Sequence, residues 1–321
     1  MIAAADVRRV AVVGAGSLGA GWVTLALHHG LDVTAVDPRP EAEATLRDTV
    51  ARQRVELESL TEPVPGGRLT VATDLGAAAD ADVVLEAGPE VLATKHEIVR
   101  ALDALLGPEV LICSSSSGLM PSDVQEGAER HPERVLVTHP FNPSHLMPLV
   151  EVVGGRRTSE EAADAAVDVM RRLGKATVRL RAELPGHVVN RLQAALWREA
   201  YHLVGTGAVS VADLDTAVAS GPGLRWALLG PFATQHLSGL PGGIAHVLEH
   251  LGPPMEDWWD DLGAPRLTDE LVATVVAGVD EELAGLDVDD LVRRRDASLR
   301  QLLTLRDENG LTTTTKGTDD E

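Results

Sequence analysis

VRRVAVVGAGSLGAGWVTLALHHG, residues 7–30, runs from an apolar stretch through a glycine-rich turn into a helix-forming stretch. Residues 7–13 read as a buried strand. Gly14, Gly16 and Gly19 then complete a G-x-G-x-x-G turn, with Ser17 and Leu18 opening a helix that Gly30 closes. The first glycine permits the tight turn, the second lets backbone approach a pyrophosphate, and the third lets helix pack on strand, with the helix N-terminus facing the phosphates. A second strand at 31–36 runs directly into Asp37, where a carboxylate accepts hydrogen bonds from an adenosine ribose. Such a carboxylate repels a 2′-phosphate, so the cofactor expected is NAD rather than NADP, with Arg39 the one nearby group that favours the alternative. The bland alternative is that Asp37-Pro38 only opens a turn and that the glycines only pack.

Outward from this unit the same grammar repeats. Residues 41–60 have helical composition, 61–67 form a loop rich in proline and glycine, and RLTVA, ADVVLEA and EVLIC read as further strands. Ligands of an open parallel sheet bind beyond the carboxyl ends of its strands, which draws attention to Glu86, Glu90 and Lys95 after one strand and to Ser114–Ser117 with Gly118 after the next. A solvated helix start explains Glu90 and Lys95 equally well, and turn and cap groups explain the serines equally well.

VLVTHPFNPSHLMPLVE, residues 135–151, ends a strand at His139, forbids a helix through Pro140, Pro143 and Pro148, and resumes as the apolar run LVEVV carrying Glu151. A carboxylate on a strand that returns past His139 fixes the imidazole tautomer and raises its basicity, as a base that deprotonates an alcohol requires. Residues 159–173 read as an amphipathic helix and ATVRL as the last strand. Beyond Pro185-Gly186 strand alternation stops. A long helix with Asn190 and Arg191 in its first turn follows, then a capped helix from Ser210 and further helices around 224–237, 244–250, 268–284 and 288–305. The expected architecture is α/β: a Rossmann-type, doubly wound, mostly parallel sheet over residues 1–184, an all-α domain over 185–305 for substrate binding and dimerisation, and a disordered tail over 306–321.

Composition narrows the partners. The 321 residues are 44% hydrophobic and 24% charged, an ordinary globular balance. A net charge of −21 repels phosphate backbones and anionic membranes, so neither nucleic acid nor a membrane surface is expected as a partner. The single cysteine, Cys113, excludes internal disulfides and four-cysteine zinc sites; a cytoplasmic location follows, and no metal is expected. Arg8 and Arg9 precede an apolar segment, but its glycines, Trp22, His28 and His29 break it as a leader or a membrane span.

Taken in order, GAGSLG, Glu86-Ala87 with Glu90, the serine run, HPFNP, LVEVV and PGHVVNR resemble the L-3-hydroxyacyl-CoA dehydrogenase family over nearly the whole chain. The resemblance implies an NAD-dependent oxidoreductase acting at a 3-hydroxyl. It implies His139 as general base with Glu151 as partner, Ser117 and Asn190 holding the substrate oxygen, Glu90 and Lys95 at the nicotinamide end, and a homodimer. Two departures matter. Residues 47–67 lack the lysine-rich arm expected for a coenzyme A thioester, and Ser115 and Gly118 stand where acyl-CoA enzymes carry asparagine and serine. Both departures are similar to the branch acting on free 3-hydroxy acids such as carnitine and gulonate, to which a lens crystallin also belongs. A trimethylammonium substrate would suit the negative charge and an aromatic box drawn from Trp197, Tyr201, Trp226, Phe232, Trp258 or Trp259. A ketoreductase running the same residues in reverse, and a non-catalytic dinucleotide-binding protein, are the competing readings.

Overall fold

The computed structural model describes residues 1–311. Strands β1 (Arg9–Val13), β2 (Asp32–Val36), β3 (Leu69–Ala72), β4 (Val83–Glu86), β5 (Leu111–Ser114), β6 (Val135–Pro140), β7 (Leu149–Gly154) and β8 (Ala176–Arg179) form one sheet. Their order is β3-β2-β1-β4-β5-β6-β7-β8. β1 to β6 are parallel, β7 returns antiparallel to β6, and β8 is parallel to β7. The expected doubly wound, mostly parallel sheet is present. The chain leaves β1 towards β2 on one side and comes back to β4 on the other, so the carboxyl ends of β1 and β4 flank the crevice where such sheets hold their ligands.

Period-two alternation decides which face each strand residue covers. Val10 and Val12 of β1 join one apolar core with helices α1 (Ser17–His28), α2 (Ala42–Glu58) and α5 (Glu160–Arg172). Ala11 and Val13 join the other, with α3 (Leu92–Leu105) and α4 (Pro121–Gln125). Both faces are buried, which is why these strands read as unbroken apolar runs.

A second unit begins at Leu192, whereas the first covers Met1–Arg191. The division falls inside the first turn of α6 (Val189–Gly205), beyond the expected boundary at Pro185, because hydrogen bonds from Val188, Val189 and Asn190 tie that turn to the sheet unit. The second unit is built of helices: the rest of α6, then α7 (Val211–Ala219), α8 (Pro222–Leu228), α9 (Pro231–Ser238), α10 (Gly243–Asp261), α11 (Asp269–Glu282) and α12 (Val288–Glu308). Ser210 caps α7 as expected, its hydroxyl accepting from the Asp213 N–H.

Three expectations need correction. The helix expected over 224–237 is two helices, because Pro231 has no N–H with which to continue α8 and instead opens α9. The helix expected to stop near His250 continues to Asp261 through Pro253 and Pro254. Those prolines leave the carbonyls of Glu249 and His250 without a helical donor, and both residues are exposed, so water can satisfy them. α12 runs to Glu308, so the start of the expected tail is helical; the expectation for residues 312–321 lies outside the described residues.

Lys175 lies in the turn before β8 and is buried without a carboxylate partner. Its ammonium donates to the carbonyls of Ser144 and Met147 (2.8 Å to the latter), pinning the loop that links β6 to β7, and sits 5.5 Å above the centre of the Trp22 ring. Burial lowers its pKa to about 7. Between about 7 and its ordinary 10.5 the unfolded chain therefore holds a proton that the folded chain sheds, and stability from this group rises with pH across that window. Denaturant midpoints measured from pH 7 to 10 should climb more steeply in the wild type than in Lys175→Met; equal slopes would remove Lys175 as the cause.

Candidate active site

The antiparallel return of β7 places His139 directly opposite Glu151 in the ladder. The Nδ1–H of His139 donates to Glu151 Oε2 at 2.9 Å, and both side chains are buried. The other carboxylate oxygen, Oε1, accepts from the N–H groups of Val188 (2.8 Å) and Val189 (3.0 Å) where α6 begins. Burial alone would raise the Glu151 carboxyl, but the bonds from His139, Val189 and Val188 outweigh it, and the group lies below the ordinary glutamate range. Glu151 is thus a fixed anion whose partner must carry its proton on Nδ1, leaving Nε2 of His139 as the acceptor.

Two rings hold the His139 imidazole. Phe141 meets it edge-on at 4.6 Å between centroids, and His187 lies tilted at 5.3 Å. His187 is fully buried in the left-handed region at φ 52°, next to Gly186 at φ 74°. Neither of its ring nitrogens has a partner of good geometry, although the Ser116 main chain lies close by. Burial and then the neighbouring His139 hold it below the ordinary histidine range. The turn at 184–187 brings this ring to His139 and the two N–H groups to Glu151 together.

The serine run is shaped by one carboxylate. Oε1 of Glu90 accepts from Ser116 Oγ (2.6 Å) and from the N–H groups of Ser117 (2.9 Å), Gly118 (2.8 Å) and Leu119 (3.3 Å). Burial pushes the Glu90 carboxyl up, and Ser116, Gly118 and Leu119 together bring it below its ordinary range. Ser117 is exposed, and its carbonyl accepts from Asn190 Nδ2 at 3.0 Å, so these two expected substrate-binding residues adjoin one another. Lys95 is fully buried and spends its three N–H bonds on Glu86 Oε1 (2.9 Å), Glu86 Oε2 (2.8 Å) and the Gly88 carbonyl (3.1 Å). It keeps no hydrogen for a ligand and acts by fixing the end of β4. The residue missed by the sequence reading is His187, for which a histidine directly after Pro185-Gly186 was the available signal; Ser116 was singled out only as one of the serine run.

At the crevice the glycine turn fits a dinucleotide. Gly14 adopts φ 102°, and a Cβ there would lie 2.5 Å from the Ala87 carbonyl oxygen. A Cβ on Gly19 would lie 1.9 Å from the Gly14 oxygen, so the helix packs on the turn only without one. Gly16, in contrast, has nothing within 4 Å, which leaves its backbone open to a pyrophosphate at the start of α1 beside Ser17 and Leu18. Asp37 Oδ2 accepts from the Ala15 N–H at 2.9 Å, and Arg39 grips both carboxylate oxygens at 2.9 Å. That guanidinium holds the Asp37 carboxyl at a pKa of about 2, so it is an anion throughout the physiological range. Trp197, Trp226, Phe232, Trp258 and Trp259 are exposed on the second unit, and no ring contact among the described residues joins any two of these five and Tyr201.

Comparison with known proteins gives a consistent picture. A model of the 3-hydroxyacyl-CoA dehydrogenase NAD-binding domain matches residues 9–183, and a model of that family's C-terminal domain matches residues 186–282. L-carnitine dehydrogenase of Streptomyces coelicolor is 46% identical over 301 residues, covering 93% of this chain and 94% of its own. The L-carnitine dehydrogenase of Bacillus cereus is 41% identical, covering 94% and 93%. Among solved structures, 5-formyl-3-hydroxy-2-methylpyridine 4-carboxylic acid 5-dehydrogenase, an NAD+-dependent dismutase, is 27% identical with a TM-score of 0.81, covering 94% and 99%. The (S)-3-hydroxybutyryl-CoA dehydrogenase of Ralstonia eutropha is also 27% identical, at a TM-score of 0.62, covering 78% and 89%.

The geometry at Glu151 has a direct test. In Glu151→Gln the amide either turns its NH2 towards the donors of Val188 and Val189, or presents it to Nδ1 of His139 and forces the ring proton onto Nε2. The first keeps the tautomer but loses the anion that would stabilise an imidazolium and sets donor against donor, and the second loses the acceptor, so turnover should fall roughly 10²–10⁴-fold while circular dichroism stays native. Unchanged kcat would remove the pair from the mechanism.

Proposed function

The chain belongs to the 3-hydroxyacyl-CoA dehydrogenase family, and from that premise we propose that this NAD-dependent 3-hydroxy acid dehydrogenase takes L-carnitine as its substrate. The observation that carries the choice is the set of relatives named for that activity, which are 40–46% identical over more than 90% of this chain. Charge supports it. α2 has no lysine, and two of its arginines, Arg47 and Arg54, are paired with Glu43 and Glu58, so a polyanionic coenzyme A would find little complement there. Carnitine carries a trimethylammonium beside its carboxylate and is net neutral, so a chain of net charge −21 does not repel it as it repels a polyanionic thioester.

In this reading Nε2 of His139 takes the proton of the 3-hydroxyl, and the buried Glu151 carboxylate stabilises the imidazolium that forms. The Ser117 hydroxyl and the Asn190 amide orient the substrate oxygen. The turn of Gly14, Gly16, Ser17, Leu18 and Gly19 holds the pyrophosphate, and Asp37 the ribose once Arg39 yields part of its grip. Bound NAD supplies the acceptor for the hydride that leaves C3. Glu90 and Lys95 serve the nicotinamide end indirectly, by holding the serine turn and the end of β4 in place. We further place the enzyme in the cytoplasm, in line with its single buried thiol, whose pKa burial pushes up to about 12. It acts as a homodimer through the second unit, whose exposed apolar side chains include Leu192, Trp226 and Phe232.

A panel of L-carnitine, 3-hydroxybutyrate, gulonate and 3-hydroxybutyryl-CoA, each with NAD, tests the assignment. L-carnitine should give the highest kcat/KM and the thioester the lowest; a preference for the thioester would overturn the argument from α2. His139→Gln should lose activity on every substrate by roughly 10²–10⁴-fold, which separates the base from the choice of substrate.

A further inference from the structure

We propose that α10 carries a site for a divalent transition-metal ion of the zinc class, held by His246, Glu249 and His250. The three residues follow one another at i, i+3 and i+4, which places them on one helical face. One ligand atom from each lies within 4.8 Å of the other two. All three side chains are exposed, so an ion reaches them without any rearrangement of the core.

The two imidazoles are arranged as ligands. Their ring centroids are 4.1 Å apart, tilted by 44°. Nδ1 of His250 lies 2.9 Å from the carbonyl oxygen of His246. A carbonyl only accepts, so Nδ1 carries the proton and Nε2 of His250 keeps its lone pair for a metal. Metal-bound histidines commonly gain their fixed tautomer from such a bond to a backbone carbonyl. Zinc–nitrogen bonds of roughly 2.0–2.1 Å in a tetrahedral shell need ligand atoms about 3.3 Å apart. Small rotations of exposed side chains supply that closure. Two imidazoles and one carboxylate suit a borderline cation such as Zn2+ over Mg2+ or Ca2+, which take oxygen shells, and a fourth position is left for water.

The position in the helix supplies a role. Pro253 and Pro254 lie in the next turn and remove the N–H groups that would bond the Glu249 and His250 carbonyls. An ion bridging residues four apart clamps the turn just before that weak point, so metal binding and helix order in α10 are linked.

The test uses the full-length chain with any affinity tag removed, stripped with chelator and titrated with Co2+ and Zn2+. The expected result is saturable uptake of about one ion per chain with the visible absorption of tetrahedral Co2+, a raised Tm with Zn2+, and slower amide exchange over 246–254. His246→Ala and His250→Ala should each weaken binding roughly tenfold or more and abolish the Tm shift, Glu249→Gln should weaken it less, and dehydrogenase activity should be unchanged in all three. Failure to bind either ion, or equal uptake by the His246→Ala/His250→Ala double variant, would overturn the site.

Discussion

Everything at the chemical end of the sheet depends on the Glu151 carboxylate having two jobs at once. One oxygen fixes the tautomer of His139, and the other collects the first N–H groups of α6. A buried carboxylate with a single partner would be costly and would drift towards protonation. With three donors it is a stable anion, placed where the positive end of a helix favours one. The antiparallel turn of β7 makes this possible, because a parallel strand would bring Glu151 back at the wrong end of the sheet from His139. The placement of His139 against Glu151 is therefore set by strand direction as much as by residue identity, and the other oxygen of the same carboxylate anchors the helix that presents Asn190.

Much of this was legible in the sequence. The apolar run, the glycine turn and Asp37 have a local meaning, since each glycine answers a steric demand made by its own neighbours. His139 and Glu151 were legible because prolines rule out a helix between them. Lys95 and Glu90 were legible only as residues near the ligand end of the sheet, with a solvated helix start as an equal alternative, and the structure gives each a task among protein groups. Which hydrogens a buried ammonium spends depends on Glu86 and Gly88 in three dimensions, and spacing does not encode that. His187 was hidden for a similar reason, as only the left-handed turn after Gly186 swings its ring against the base. In the second unit, the helix expected over 244–250 runs on through Pro253 and Pro254, because an exposed helix tolerates carbonyls that a buried one could not.

The two ends of the cofactor crevice are organised in opposite ways. At the Asp37 end an exposed guanidinium covers the carboxylate, and in the proposed function the ribose competes with Arg39 for it. At the Glu86 and Glu90 end the charges are neutralised inside the protein by Lys95 and by main-chain donors. In that proposal one end exchanges partners on binding, and the other is fixed in advance by its own bonds. Preorganisation is worth most where the hydride moves, since positional error there is felt directly in rate.

Glu90 grips the turn after β5 through the main chain of Ser117, Gly118 and Leu119, with only one hydroxyl, that of Ser116, among its donors. The course of the loop is thus nearly independent of the side chains it displays. Positions 117 and 118 can be rewritten without disturbing the backbone that carries them. A lineage can change what this loop displays by single substitutions while the pairing of His139 with Glu151, on other strands, keeps its own bonds.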